Sequence, residues 1–160
     1  MNDKQKEARR ELMTSSFRDR ESAERAYNGI VSRGYKADDI RARIAAILPE
    51  RRKVISTHAA FGYFSKAYGI AFLAPQGLST NAEPSARGVA ALISRIRAEK
   101  IPAVFLENVS DPRLARRIAA ESGAKIGGTL YSDALTGENG AAPTYIEMVR
   151  HNIKALTEAL

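Results

Sequence analysis

The stretch KVISTHAAFGYFSKAYGIAFLAP, residues 53–75, decides the fold. It opens with KVIST, an apolar run that predicts a buried strand, and continues into AAFGYFSKAYG, where Phe61, Phe64 and Tyr68 fall on one face of a helix. Gly69 is suited to end that helix, and IAFLAP predicts a second strand. A strand, a helix and a strand in this order predict a βαβ unit with two parallel strands.

The same alternation continues to the end of the chain. Two further strands are predicted at residues 102–108 and, in a broken form, at residues 124–133, where Gly127 and Gly128 suggest a bulge or close backbone packing. Helices are predicted by the following three amphipathic segments: EPSARGVAALISRIRAEK (residues 83–100), SDPRLARRIAAESG (residues 110–123) and TYIEMVRHNIKALTEAL (residues 144–160). We therefore expect an α/β fold of three layers, α/β/α, around a mainly parallel sheet of about four to five strands.

The first 52 residues follow a less regular pattern. MTSSF, residues 13–17, predicts a short strand, and DDIRARIAAILPERR, residues 38–52, predicts a helix. Residues 1–40 therefore look like a βα segment ahead of the domain formed by residues 41–160. No stretch approaches the ~18 apolar residues of a membrane span, and the N-terminus lacks a signal peptide pattern, so a cytoplasmic location is expected for the chain as written.

Composition limits the chemistry of the 160 residues. There is no cysteine and there are only two histidines, so a metal site would have to use nitrogen and oxygen ligands. The net charge of +7 permits contact with nucleic acid, but the basic residues are interleaved with acidic ones at helical spacing. That interleaving favours solvated helix faces over a phosphate-binding patch.

Three polar residues fall at the carboxyl ends of predicted strands, where ligands bind in an open parallel sheet: His58, Glu107 and Asp133. An imidazole and a carboxylate at one edge suit Zn²⁺ or Mn²⁺. Simpler interpretations remain: His58 as a histidine of a helix N-cap region that is hydrogen-bonded to the backbone, Asp133 as an N-cap or turn carboxylate, and Glu107 as a charge without a specific role at a strand end. If the site is real, Glu107 would act behind the ligands as an acceptor that orients one of them.

Other candidates for chemistry are weaker. His151 lies inside the last predicted helix, and we expect it to pack or to form a hydrogen bond rather than to bind a metal. No nucleophile elbow, P-loop or dinucleotide fingerprint occurs in the chain, which argues against an enzyme.

The segments STHAAFGYFSKAYGI and PQGLSTNAEPSA, together with IPAVFLENVSDPRLARRIAAESGAKIGGTLYSDALTGENGAAPTYIEMVRHNIKAL, closely resemble the C-terminal lobe of the zinc/manganese solute-binding proteins of metal ABC transporters. The resemblance covers about residues 41–160. It implies two α/β lobes with a metal between them, and it makes His58 and Asp133 the ligands of this lobe. It also implies a periplasmic or extracellular protein that docks on a transporter permease.

The departures from that family are equally informative. No histidine precedes His58 and residues 1–40 do not resemble the family, so we expect this chain to lack the N-terminal lobe and its two histidines. We therefore expect a chimera with an incomplete site that binds Zn or Mn weakly, unless two copies pair as a homodimer through the exposed face of the lobe. The alternative is a non-catalytic scaffold, recombined or designed, that has no functional ligand site.

Overall fold

The computed structural model describes residues 37–75 and 84–160. The helices in these residues are α1 (Ala37–Ala45), α2 (Gly62–Tyr68), α3 (Ala86–Glu99), α4 (Pro112–Ser122) and α5 (Tyr145–Ala159), with a short 3₁₀ helix at Pro49–Arg51. The strands are β1 (Lys53–Ile55), β2 (Ala71–Leu73), β3 (Ala103–Glu107) and β4 (Lys125–Leu130). The four strands form one parallel sheet in the order β2-β1-β3-β4. The predicted strand at residues 13–17 lies outside the described residues.

The sheet is buried on both faces because its side chains alternate between two cores. In β3, Ala103 and Phe105 pack with apolar residues of α1, α2 and α5 on one face. Val104 packs with apolar residues of α3 and α4 on the other face. The predicted α/β class with three layers is thereby confirmed, and a parallel sheet covered by helices on both sides explains the continuous apolar runs of the sequence.

Capping residues set where the helices begin and end. Asp111 caps α4 by accepting a hydrogen bond from the Arg113 N–H, and Ser85 and Thr144 cap α3 and α5 in the same way. Gly69 ends α2 with a φ of 76°, a left-handed conformation that glycine adopts without strain. Among the helices of the described residues, none has the length and apolar character needed to cross a bilayer.

Two helices are shorter in the structure than the sequence predicts. The helix predicted for residues 38–52 ends at Ala45, and a 3₁₀ turn follows. Pro49 explains this, because its ring disfavours a helical conformation at the preceding residue, and Leu48 is extended with a ψ of 137°. The helix predicted from Ala59 begins only at Gly62, because residues 56–61 form a loop that belongs to the site described below.

The predicted irregularity of the fourth strand is a bulge between β3 and β4. Val104 pairs with Ile126 but Leu106 pairs with Thr129, so β4 carries one extra residue. Gly128 takes a φ of 112°, and a Cβ at Gly127 would lie 2.5 Å from the Phe105 ring. Gly127 is therefore required by its packing against Phe105, and Gly128 is favoured by its positive φ.

Tyr145, the first residue of α5, provides a test of packing at high pH. Burial, and secondarily the neighbouring Tyr68, raise the pKa of the Tyr145 phenol to about 12. In the unfolded chain a tyrosine has a pKa of about 10. The neutral Tyr145 phenol therefore contributes its full stabilisation below that pH, and this contribution is lost as the pH rises through the pKa of the folded protein. We expect tyrosinate absorbance to show a late step near that pH that Tyr145→Phe removes and that Tyr63→Phe, at an exposed position, does not.

Candidate metal centre

The site lies where the sheet topology opens a crevice. β1 and β3 are neighbours, yet the chain leaves β1 through α2 on one face toward β2 and leaves β3 through α4 on the other face toward β4. The loops after these strands diverge, and such a switch point is where open parallel sheets bind ligands. His58 follows β1, Glu107 ends β3, and Asp133 follows β4.

The structure brings all three predicted site residues together. His58 Nε2 lies 3.0 Å from Asp133 Oδ2, although the two residues are 75 positions apart in the sequence. The imidazole is buried, with 3% of the side chain exposed, whereas the Asp133 side chain is 63% exposed. The pair therefore consists of a fixed nitrogen donor beneath an oxygen donor that faces solvent.

Glu107 is a buried carboxylate that organises the loop carrying His58. Its Oε1 accepts hydrogen bonds from the N–H and the hydroxyl of Thr57, both at 2.7 Å, and from the His58 N–H at 3.0 Å. Its Oε2 accepts a hydrogen bond from the Ser132 hydroxyl at 3.1 Å. A carboxylate this deeply buried is stabilised by such donors, so Glu107, which does lie at the end of its strand, is not a charge without specific contacts.

The His58 ring faces a carboxylate oxygen at each of its nitrogens. Nδ1 lies 2.7 Å from Glu107 Oε2, but its N–H direction is poorly aligned with that oxygen, so the contact is a close polar pair rather than a good hydrogen bond. Nε2 faces Asp133. A neutral imidazole has only one N–H, so one of the two nitrogens directs a lone pair at a carboxylate. A metal cation held between Nε2 and Asp133 would remove that conflict, because the ring N–H would then lie at Nδ1, beside Glu107.

The loop at residues 56–61 takes its shape from these polar contacts. The Ser56 hydroxyl and the Ala60 N–H both donate to the His58 carbonyl oxygen at 3.0 Å. Phe61, rather than His58, is the N-cap residue of α2. His58 thus lies shortly before the start of α2, but its ring does not bond the backbone as the simpler interpretation expects, because its two nitrogens face Glu107 Oε2 and Asp133 Oδ2.

Asn108 holds the segment around Asp133. Its side-chain amide donates to the Ala134 carbonyl oxygen at 2.9 Å, and its side-chain oxygen accepts from the Ser132 N–H at 3.3 Å. The two contacts lie on either side of Asp133 in the chain. Asp133 does sit in an irregular segment, as the turn interpretation held, but its carboxylate is directed to His58.

His151 has the structural role that the sequence predicts. Its Nε2 lies 2.9 Å from the Thr129 carbonyl oxygen, and its ring meets that of Tyr131 edge to face at 4.9 Å. Next to it in α5, Asn152 bonds both the N–H and the carbonyl oxygen of Tyr131. These contacts fix the end of β4, just before the segment that carries Asp133.

Sequence reasoning missed the residues that support the pair. Thr57, Ser132 and Asn108 bond Glu107 or the Asp133 segment, and all three are polar residues in the last two positions of predicted strands. Their position at the carboxyl ends of the strands could have indicated this role, because polar side chains at that edge of the sheet lie close enough to contact one another. Their partners could not be read from the sequence, because each partner lies at least 24 residues away.

The described residues supply some, but not all, of the ligands that a metal ion usually takes. In residues 37–75 and 84–160, no group of three or more His, Asp or Glu side chains is arranged to hold a metal ion. What the crevice offers is one imidazole nitrogen and one exposed carboxylate, with Glu107 already engaged behind them.

Comparison with known proteins places the chain in a family. The profile of the family described as zinc-uptake complex component A, periplasmic, matches residues 35–159. The zinc-binding protein TroA of Treponema pallidum is 39% identical over 127 residues, which cover 76% of this chain. The chain belongs to this family. The manganese-binding lipoprotein MntA of Bacillus subtilis is 40% identical over 126 residues, or 75% of the chain.

Solved structures of family members have the same fold. The structure of TroA superposes with a TM-score of 0.76 at 31% identity, covering 88% of this chain and 52% of that protein. A mutant of a periplasmic metal-binding protein from Candidatus Liberibacter asiaticus, in its manganese-bound form, gives a TM-score of 0.73 at 27% identity, covering 88% and 50% of the two chains. The recognition of the family and of its fold from the sequence is confirmed.

The match concerns only part of each relative. The chain spans 41% of the length of TroA and 41% of that of MntA from Bacillus subtilis. The family match begins at residue 35, a few residues before the predicted boundary at residue 41. The separate origin of residues 1–40 stays a prediction, and these residues lie almost entirely outside the described part of the chain.

Proposed function

We propose that this chain binds a divalent metal ion, Zn²⁺ or Mn²⁺, as the C-terminal half of a solute-binding protein for metal uptake. The metal is the cargo, and His58 Nε2 and Asp133 are its ligands. The observation that carries the proposal is the 3.0 Å approach of these two donors at the switch point of the sheet. The names of relatives, which bind zinc or manganese, support the same conclusion.

Glu107 would act behind the ligands. Because it bonds the Thr57 and His58 N–H groups and lies beside His58 Nδ1, it fixes the ring so that Nε2 faces Asp133. Carboxylates in this position orient a ligating histidine and increase its basicity. The arrangement leaves Asp133 to complete the pair from the solvent side, where a metal would arrive.

Binding by one chain should be weak. Zinc usually takes four ligands, and among residues 37–75 and 84–160 the crevice supplies two of them. Manganese prefers oxygen ligands and imidazole suits zinc, so a pair with one nitrogen and one oxygen favours zinc modestly.

The cellular setting follows from the same family membership. Relatives are described as periplasmic proteins or lipoproteins, some of them substrate-binding components of metal ABC transporters. We infer that this chain serves outside the cytoplasmic membrane and delivers its metal to a transporter permease. This replaces the cytoplasmic location expected from the N-terminal sequence alone.

A calorimetric titration with zinc chloride and with manganese chloride tests the proposal. We expect the wild-type chain to bind zinc and His58→Ala to lose at least about tenfold in affinity, because the only nitrogen ligand is removed. His151→Gln is the matched control, since it replaces the other histidine of the chain at a position away from the crevice. Its zinc affinity should equal that of the wild type.

Asp133→Asn is a second variant, and it distinguishes an effect on zinc binding from an effect on folding. The side chain is largely exposed, so the melting temperature should stay close to that of the wild type while the zinc affinity falls. Zinc binding that survives both substitutions unchanged, or no binding by the wild type, would reject the proposed site. The second result would favour a scaffold without a ligand.

A further inference from the structure

The Asp133 carboxylate is held in place by the backbone that carries it rather than by burial. Its side chain is 63% exposed, and it belongs to residues 131–144, which form neither helix nor strand. A ligand on such a segment loses conformational freedom when it binds a metal, and that loss weakens binding unless the segment is already ordered. Asp133 Oδ2 nevertheless lies 3.0 Å from His58 Nε2. The affinity of this pair therefore depends on what orders the backbone at Asp133.

Asn108, the residue after β3, bonds the chain on both sides of Asp133. Its side-chain amide donates to the Ala134 carbonyl oxygen at 2.9 Å, and its side-chain oxygen accepts from the Ser132 N–H at 3.3 Å. Its own backbone N–H donates to the Leu130 carbonyl oxygen at 3.2 Å, which ties Asn108 to the end of β4. An asparagine side chain carries both a donor and an acceptor, so one residue can bond an N–H and a carbonyl group at once. Asn108 thereby fixes the chain one residue before and one residue after Asp133.

Asn152, on α5, makes the same kind of double contact at the end of β4. Its side-chain oxygen accepts from the Tyr131 N–H at 2.9 Å, and its amide donates to the Tyr131 carbonyl oxygen at 2.7 Å. A neighbouring antiparallel strand would bond both groups of Tyr131 in this way, and here a helix side chain that is only 7% exposed does so. The chain thus enters the Asp133 segment from a fixed point.

We propose that Asn108 and Asn152 are positioning residues of the metal site, which hold residues 131–134 so that the Asp133 carboxylate stays within reach of a metal at His58 Nε2. The inference rests on the proposed function, because Asp133 is the ligand that they position. It concerns one ligand of this lobe and does not depend on which groups complete the site. Two neutral amides order the segment without adding charge beside the ligand, so less freedom is lost when the metal arrives.

A zinc titration of Asn108→Ala tests the proposal. Asn108 is exposed, so the melting temperature should stay close to that of the wild type, whereas the zinc affinity should fall by about tenfold. Asn139→Ala is the matched control, because it makes the same chemical change at an exposed position in the turn that follows Asp133. Its zinc affinity should equal that of the wild type. Equal affinities of Asn108→Ala and the wild type would overturn the proposal.

A double-mutant cycle with Asp133→Asn distinguishes positioning from a general structural role. If Asn108 acts through Asp133, Asn108→Ala should change the zinc affinity by less than about twofold once the carboxylate is gone. Zinc titrations followed by NMR measure the weak binding of these variants. An equal loss in both backgrounds would mean that Asn108 acts on the protein as a whole, and it would overturn the positioning role.

The metal-free protein gives a measurement that does not require zinc. Backbone ¹⁵N relaxation should give an order parameter of about 0.85 at the Asp133 amide in the wild type and below about 0.6 in Asn108→Ala. Asn152→Leu, which keeps the volume of the side chain but removes both hydrogen bonds, should loosen Tyr131 in the same way. Unchanged order at Asp133 in Asn108→Ala would overturn the proposal.

The positioning role and the metal-binding function fail in different ways. Zinc binding that is lost in His58→Ala and weakened in Asp133→Asn, but unchanged in Asn108→Ala, would overturn the positioning role and leave the function standing. No zinc binding by the wild type would overturn both.

Discussion

Replacing Glu107 with glutamine should lower the free energy of unfolding by on the order of 3 kcal/mol. The carboxylate accepts hydrogen bonds at both oxygens, from Thr57, His58 and Ser132. Glutamine has the same shape but is uncharged, so the hydrogen bonds from Thr57 and His58 lose a charged acceptor, and its NH₂ group can no longer accept the hydrogen bond from the Ser132 hydroxyl. Chemical denaturation of both proteins measures the difference.

The same substitution should also weaken zinc binding, because the loop that carries His58 loses the acceptor that shapes it. Glu138→Gln is the matched control, since it makes the same chemical change at an exposed carboxylate. Its stability should stay within about 0.5 kcal/mol of the wild type. Glu107→Gln with unchanged stability would show that the buried carboxylate contributes nothing to the loop, contrary to the geometry.

Phe105→Ala should destabilise the fold by about 3–5 kcal/mol, the usual cost of removing a large buried aromatic side chain. Phe105 is fully buried in the middle of β3, in the core that joins the sheet to α1, α2 and α5. The ring also fills the space that the missing side chain of Gly127 leaves on β4. Thermal and denaturant unfolding should both register the loss.

The contact between Phe105 and Gly127 provides the controls. Gly127→Ala should itself cost about 1–3 kcal/mol, because the new methyl group meets the ring. Combining Gly127→Ala with Phe105→Leu should cost less than the sum of the two single changes, since the smaller side chain makes room. Tyr63→Ala, at an exposed position, should change little. Strict additivity in the double variant would contradict the packing described here.

Much of the fold could be predicted because its signals are local. The capping residue Asp111, the helix-ending Gly69 and the apolar runs of the strands each act within a few residues of the chain. The two errors in helix length are instructive. At residues 46–52 the signal is local, because Pro49 disfavours a helical conformation at Leu48 and so ends the helix before it. At residues 59–61 no local signal existed, since the loop is shaped by Glu107 from a distant strand.

For the candidate site too, the position of each residue follows from local signals, whereas its contacts depend on distant parts of the chain. Parallel strands end at one edge, so the sequence placed His58, Glu107 and Asp133 near one another once the strands were identified. It did not establish what each side chain contacts. The sequence position of Glu107 is equally compatible with a solvated charge, and only the fold shows that this residue is 3% exposed and bonded to the loop of His58.

The resemblance to the family, rather than any local pattern, is what names His58 and Asp133 as candidate ligands. Local patterns alone predict the order of strands and helices over residues 53–160 and the parallel class of the sheet. Those features depend on periodicity, capping and the fixed direction of parallel strands, all of which are written in short stretches. The tertiary structure decided the sheet order, the two cores, and the hydrogen bonds that hold His58 and Asp133 3.0 Å apart. Such contacts join residues far apart in the chain, and burial and direction exist for them only after the sheet has been assembled.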